Sequence, residues 1–169
     1  MNFKETSNDF GENSLKLKSD ESVQGVFRGD PYDFKLHWNN KVSTVCLENE
    51  GCPLCKEGNK ASFRFRLNFI TKQDGEYISK VFEQGWKTYK ALRVLHKDYD
   101  LEKHVVKVTR HGSGTDTIYS IIPMPNGLLT AETDHALAKV KLHSLKPDEQ
   151  NQELGDDNHH SGTYEDIPF

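Results

Sequence analysis

The sequence predicts a mainly β domain in which five antiparallel strands form a barrel, with one helix between the third and fourth strands. Three observations support this prediction. Apolar and polar residues alternate over residues 62–70, which is the period of a half-buried strand. Two pairs of strand-like segments each enclose a glycine-containing turn, at residues 73–76 and 111–114. Between these pairs, large apolar residues recur mostly at three-residue steps over residues 86–99, as on one side of a helix.

The alternating segment predicts how the first hairpin faces the core. Its apolar face consists of Phe63, Phe65, Leu67 and Phe69. The opposite face carries Arg64, Arg66 and Asn68, so we expect a half-buried strand with a basic outer surface. The Asp74-Gly75 pair is a hairpin-turn signal, and residues 77–82 form the return strand.

The remaining segments complete the predicted set of strands. Residues 23–27 and 33–38 are weaker strand candidates, and residues 104–110 and 115–122 form the second hairpin, which ends at Pro123. A helix between the third and fourth strands of a five-stranded antiparallel set is the arrangement of the OB-fold, which commonly binds oligonucleotides. An α+β sandwich with an inserted metal-binding knuckle is the alternative fold.

Composition and charge divide the chain into four predicted parts. Residues 1–22 are expected to form a flexible N-terminal arm, and residues 23–125 the OB-fold, with a knuckle at about 37–58. Residues 126–146 are expected to contain a C-terminal helix. Residues 147–169 carry seven acidic residues and no Lys or Arg, so we expect a disordered acidic tail.

The formal net charge of -4 conceals a strong segregation of charge. Residues 25–146 contain nineteen Lys or Arg and fourteen Asp or Glu, a net charge of +5, whereas the tail contributes -7. A basic body with an acidic arm is typical of proteins that bind polyanions and regulate that binding themselves. At 34% hydrophobic residues, with no apolar run of membrane-spanning length, the chain is expected to be cytoplasmic and to have no membrane partner.

All three cysteines fall within ten residues, as Cys46 and the pair Cys52-Pro53-Leu54-Cys55. In a reducing cytosol this spacing predicts a metal site rather than a disulfide, with zinc as the expected ion. His37 is the favoured fourth ligand because it lies just upstream and closes a small loop, while the other candidates are His96, His104 and His111. A redox-active Cys-x-x-Cys is the alternative, but the following Lys-Glu-Gly-Asn does not read as a helix.

The zinc is expected to be structural, and the protein is not expected to be an enzyme. Nucleobase deaminases need a His-x-Glu and a Pro-Cys-x-x-Cys, whereas this chain has His37-Trp38-Asn39 and Gly51-Cys52 at those places. Four protein ligands would also leave no coordination position for a reactive water. No nucleophilic triad or pair of catalytic carboxylates stands out, and no small-molecule substrate is expected.

Basic and aromatic residues are interleaved between residues 60 and 111, where twelve Lys or Arg accompany six acidic residues. Proteins that bind single strands without sequence preference combine cations along the phosphates with aromatic rings that stack on bases. The predicted DNA-binding residues lie on the polar strand faces or beside the knuckle: Tyr32, Trp38, Arg64, Arg66, Tyr77, Lys80, Lys107 and Arg110.

The chain ends in acidic residues followed by an apolar tip, Glu165, Asp166, Ile167, Pro168 and Phe169. This ending resembles the C-terminal tip of bacterial single-stranded DNA-binding proteins. A carboxylate-rich arm with two apolar anchors also suits capture by a basic, apolar pocket of a partner protein.

The body is similar to a group of bacteriophage single-stranded DNA-binding proteins. The similar residues are the segments at 82–87 and 107–117 and the His-Cys-Cys-Cys order of the proposed zinc ligands. The resemblance implies a protein that coats and protects single-stranded DNA in phage replication, recombination and repair, and that recruits partner proteins through its tip. A phage-encoded chain would act in the host bacterial cytoplasm.

Three other functions remain open at the level of sequence. The chain could be an RNA-binding protein with a zinc knuckle and an OB-fold, or a zinc-dependent nuclease or deaminase. It could also be an interaction protein that uses the acidic tail without binding nucleic acid.

Overall fold

The computed structural model describes residues 11–39, 42–48 and 51–146. The predicted acidic tail and its tip, Glu165 to Phe169, lie outside the described residues. In chain order the elements are β1 (Ser22–Asn39), β2 (Val42–Val45), α1 (Pro53–Lys56), β3 (Ala61–Gln73), β4 (Glu76–Gly85), α2 (Trp86–Asp98), β5 (His104–His111), β6 (Ile118–Leu128) and α3 (Ala131–Ala138). No helix in these ranges is long and apolar enough to cross a membrane.

The strands form one antiparallel sheet of six strands, which confirms the prediction of a mainly β domain. Five of them lie in the order β4-β3-β1-β5-β6, and the short β2 pairs with β1. Within the described ranges no hydrogen-bonded ladder joins the outer strands β4 and β6, so the sheet is open rather than a closed barrel.

The two weak strand candidates at 23–27 and 33–38 are a single strand, β1, which bends in the middle. Its register against β3 shifts between Arg28 and Tyr32, and Gly29 within the bend has a φ of +74°. Glycine adopts this left-handed conformation without the steric cost that a Cβ would bring. The bend lets β1 pair with β5 through its first half and with β2 through its second.

The two hairpins differ in how closely they follow the sequence prediction. Asp74 and Gly75 both have positive φ, as the first hairpin requires, and pair Gln73 with Glu76. In the second hairpin a short 3₁₀ turn at Gly114–Asp116 delays β6 until Ile118. β6 also continues through Pro123, which was expected to end it, because an outer strand tolerates a residue without an N–H.

The main core lies on the apolar face of β3 and is dominated by phenylalanines. Phe27, Phe65, Phe69 and Phe82 are each at most 1% exposed. The Phe27 ring packs against the rings of Phe69 and Phe82 at centroid distances of 5.0 and 5.5 Å. Leu92 places α2 over this core. The buried aromatic rings therefore hold β1, β3 and β4 together under the helix.

The opposite face of the sheet is also partly covered, which the sequence analysis did not predict. Leu137 of α3 packs on Val26 and Ile70 in a second, smaller apolar cluster.

At the edge of β4, Leu15 donates its N–H to the Val81 carbonyl, and Leu17 is buried in the main core. The described end of the N-terminal arm is thus packed against the sheet.

Candidate metal centre and surrounding surface

The candidate metal centre lies at the end of β1, where β2 folds back on it. His37 lies in β1, and Cys46 follows β2, where its N–H donates to the Lys35 carbonyl. Cys52 is the N-cap residue of α1, and Cys55 lies within its single turn. Pro53 begins this turn, where its missing N–H costs nothing. The β1–β2 hairpin and the α1 turn therefore bring four potential ligands to one point.

The ligand atoms of His37, Cys46, Cys52 and Cys55 all lie within 4.8 Å of one another. The Cys46 sulfur is 3.9 Å from that of Cys52 and 3.5 Å from that of Cys55. His37 Nε2 is 3.3 and 3.4 Å from the Cys52 and Cys55 sulfurs. A tetrahedral ion with bonds of about 2.3 Å to sulfur would place two sulfurs about 3.8 Å apart, so the cluster fits such an ion.

Neighbouring groups hold the ligands in this orientation. His37 Nδ1 is 3.2 Å from Asn59 Oδ1, while the Asn59 side-chain amide donates to the Trp38 carbonyl at 3.0 Å. An N–H on Nδ1 leaves Nε2 free to bind a metal, which is the usual arrangement around ligating histidines. The Glu48 N–H lies 3.3 Å from the Cys46 sulfur. Asn59 was not predicted, although it follows the Cys-x-x-Cys pair by only four residues.

The surroundings of the cysteines favour the thiolate form of Cys52 and disfavour the thiolate form of Cys55. The Cys55 N–H, followed by that of Leu47, lowers the pKa of Cys52 to about 6. The Cys46 thiol, followed by burial, raises the pKa of Cys55 to about 11. All three cysteines are free thiols. A bound cation would favour the thiolate form at every ligand, because it offsets the repulsion between neighbouring sulfurs.

The other histidines considered as fourth ligands have different partners. His96 Nδ1 accepts from the Leu101 N–H, His104 Nε2 lies 3.1 Å from the Met124 carbonyl, and His111 lies beside Asp20. The four-residue set with His37 has nitrogen and sulfur donors only and would complete a tetrahedron without water.

The basic outer face predicted for β3 is not a solvated surface. Arg64 and Arg66 are 5% and 6% exposed. Both guanidinium groups face one carboxylate, with Arg66 Nε 2.8 Å and Arg64 Nε 3.5 Å from the Glu83 oxygens. The Asp74-Gly75 turn fixes the hairpin register that places Glu83 opposite Arg66. The hairpin register therefore already predicts this ion pair, and the burial of both arginines corrects the expectation that they lie on an exposed strand face.

A C-terminal segment, residues 142–146, lies across this face and explains the burial. His143 exchanges hydrogen bonds with Asn68, accepting from the side-chain amide at 3.1 Å and donating its N–H to Oδ1 at 2.9 Å. Its Nε2 lies 2.9 Å from the Ser79 carbonyl, and Arg66 donates to the Leu145 carbonyl at 3.3 Å. The polar residues of β3 thus bind this segment of the protein itself.

Two of the predicted aromatic DNA-binding residues, Tyr32 and Trp38, lie in β1. Tyr32 is half-buried and stacks on Phe34 at 6.0 Å, while the Arg66 guanidinium lies 4.7 Å from the Phe34 ring centre. Trp38 is 39% exposed and shares this face by the strand alternation. Tyr32, Phe34 and Trp38, the β1 aromatic row, extend along the strand to the metal centre.

The other predicted contacts are dispersed. Tyr77 is exposed at the first hairpin, where Lys72 lies over its ring. Lys80 donates to the Glu12 carbonyl and Arg110 to the Leu17 carbonyl, so both hold the N-terminal segment. Lys107 pairs with Ile122 in the second hairpin. The structure therefore groups Tyr32, Trp38 and the two buried arginines, and leaves the other four residues elsewhere.

Comparisons of the chain with protein-family models, with curated proteins and with solved structures found no match. The resemblance to phage single-stranded DNA-binding proteins accordingly depends on the residues quoted for it.

Proposed function

We propose that the protein binds single-stranded nucleic acid, preferentially DNA and without sequence preference, around a structural zinc centre. The observation that carries the proposal is the β1 aromatic row, whose exposed member, Trp38, directly follows the candidate ligand His37 in β1 and faces the other side of the strand. The Asn59 side-chain amide donates a hydrogen bond to the Trp38 carbonyl, and the Asn59 side-chain oxygen lies 3.2 Å from His37 Nδ1. A metal bound here would hold the backbone at Trp38 in place, and each base that stacks on an exposed ring is worth about 1–3 kcal/mol.

The charge near this platform suits a polyanion. Lys56 and Lys60 are exposed on either side of Asn59, and neither takes part in the ion pairs among the described residues. The body as a whole carries a net charge of +5 over residues 25–146. Such a surface attracts phosphates irrespective of base sequence.

The fold is compatible with a partly open OB barrel. Apart from the short β2, five strands are present, and α2 connects the third to the fourth along the chain. Phe82 of β4 and Tyr119 of β6 lie 5.8 Å apart, so the outer strands approach each other through their side chains. OB-folds are partly open barrels that bind oligonucleotides.

The resemblance to phage proteins supplies the biological part of the proposal. The protein would coat and protect single strands during phage replication, recombination and repair, in the cytoplasm of the host. Its acidic tip would recruit replication or recombination proteins. The metal would have no catalytic part, because a closed tetrahedral site offers no position for substrate or water.

Titration of labelled oligo-dT, oligo-rU and duplex DNA with the protein tests this proposal. We expect oligo-dT to bind tightest and duplex weakest. Replacing Trp38 with Ala should weaken oligo-dT binding by about 5- to 150-fold, the equivalent of one lost stack. Tyr99→Ala is the matched control, since Tyr99 is similarly exposed at 41% but lies beyond the far end of α2. Equal binding to duplex and single strand, or tighter binding to oligo-rU, would contradict the proposal, as would equal losses in the two variants.

A further inference from the structure

Helix α2 presents an exposed basic face that is separate from the β1 aromatic row. Along Trp86–Asp98, the positions turned away from the core at 100° per residue carry four cations, one indole and one valine: Trp86, Lys87, Lys90, Arg93, Val94 and Lys97. All six are exposed, and the helix has a single acidic residue, Asp98, at its last position.

This arrangement of charge is unfavourable for the isolated helix. Lys87 with Lys90, Lys90 with Arg93, and Arg93 with Lys97 are like-charged neighbours at three- or four-residue spacing, each destabilising by about 0.2–0.5 kcal/mol. The first turn contains a lysine and no acidic residue, against the preference of the helix dipole, and Gly85 provides no side-chain cap. The ion pairs of the described residues include none of these four cations. The fold gains little from them: Lys90 lies over the Trp86 ring, and Lys97 is in the last turn, where the helix dipole favours a cation.

Trp86 adds an aromatic surface at the start of the same face. It is 46% exposed although it is the largest side chain of the helix. Tyr89 stacks on it at 5.7 Å with an angle of 23° between the rings, and Phe63 supports it edge-on at 5.1 Å. The Lys90 ammonium lies 5.9 Å from the indole centre. An indole supported by two rings and flanked by lysine is suited to stack on a base while its neighbours contact phosphates.

We infer that the exposed face of α2 is a second binding surface for single-stranded nucleic acid, on the opposite face of the sheet from the β1 aromatic row. The inference rests on the proposed function and extends it to a further set of residues. Helix α2 follows β4 directly at Gly85, which pairs with Arg64 of β3, so Trp86 lies at the same end of β3 as the metal centre. A nucleic acid that contacts both surfaces would have to pass around this end of the sheet.

The test replaces Lys87, Lys90, Arg93 and Lys97 together with Gln and measures oligo-dT binding against salt. The oligonucleotide is about 16 nucleotides long, the upper end of the OB site-size range. Loss of three to four phosphate contacts should lower the slope of log K against log salt by about 2–3, and the affinity on the order of 100-fold at 0.1 M salt. The matched control removes the same charge elsewhere, with Gln at the exposed Lys16, Lys18, Lys103 and Lys139, and should retain most of the slope.

A second measurement separates binding from folding and from a protein ligand. The α2 variant should melt close to wild type, because the like-charge repulsions that it removes offset the loss of the Lys90–Trp86 contact and of Lys97 in the last turn. A lower melting temperature would overturn the inference, as would equal slopes in the variant and the control. Retained oligo-dT affinity with lost affinity for a synthetic peptide of residues 147–169 would instead assign the face to an acidic segment. Failure of wild type to prefer single strands would count against the proposed function itself.

Discussion

The aromatic core and the His/Cys cluster lie on the same strand, β1, but are stabilised in different ways. Phe27, in the first half of β1, is buried against phenylalanines of β3 and β4. His37, in the second half, is equally buried, yet the adjoining α1 buries none of its residues and β2 has no fully buried position. The sheet is built around many buried apolar side chains, whereas β2 and α1 contribute few to the module around Cys46 and Cys52. A bound metal ion would stabilise the module in place of such contacts.

The largest expected effect is the loss of metal from the module while the sheet persists. Cys52→Ser removes one of four ligands and should abolish stoichiometric metal binding, because structural zinc sites hold their folds with about 10–16 kcal/mol in peptides of similar size. Hydrogen exchange should rise around Cys46 and α1, while β3 and β4 remain protected. Metal analysis and exchange of the intact protein provide the two measurements.

Two controls make this comparison sharper. Leu47→Ser alters an exposed neighbour of Cys46 and should retain the metal. Phe65→Ala should do the reverse of Cys52→Ser, lowering the free energy of unfolding by about 3–5 kcal/mol through a core cavity while one metal remains bound to the folded protein. If Cys52→Ser unfolds the sheet as well, the two regions are one cooperative unit and the distinction between them is wrong.

The same difference explains which features could be predicted from the sequence. The alternation in β3, the Asp74-Gly75 turn and the cysteine spacing are local signals, and the structure reproduces each of them. Burial of Arg64 and Arg66 depends on a segment near residue 145, some eighty residues away, whose periodicity is poor. Local patterns carry no information about such a covering segment, so the alternation in β3 predicts a strand with one solvent-exposed face. The contact of Arg66 with Glu83 is an exception, because the Asp74-Gly75 turn fixes the register of the hairpin and so places the two residues opposite each other.

A smaller effect is expected from Asn59, which positions His37 without binding the metal. Asn59→Ala removes the acceptor for His37 Nδ1 and should weaken metal affinity by about 10- to 100-fold, as loss of an outer ligand partner usually does. Competition with a chromogenic chelator measures the change. Asn59→Asp retains an oxygen acceptor and should recover most of the affinity. If both variants bind metal as wild type does, Asn59 is not a positioning residue.

The smallest expected effect lies on the sheet side, at the ion pair that joins α3 to β1. Asp134 accepts from Arg28, and this hydrogen bond holds the pKa of the Asp134 carboxyl below its usual value. A carboxyl with a lowered folded-state pKa stabilises the protein above its unfolded pKa of about 3.9, and loses that contribution as the pH falls through the folded value. Asp134→Asn should therefore melt slightly below wild type at pH 7, with the gap closing below about pH 4. Because the pair is partly exposed, salt should also narrow the gap. Glu132→Gln removes an exposed carboxylate that interacts with the dipole of the same helix but has no ion-pair partner among the described residues, so both dependences should be weaker. A gap that persists at low pH would mean that Asp134 acts through packing rather than through its charge, and metal content should remain unchanged in every case.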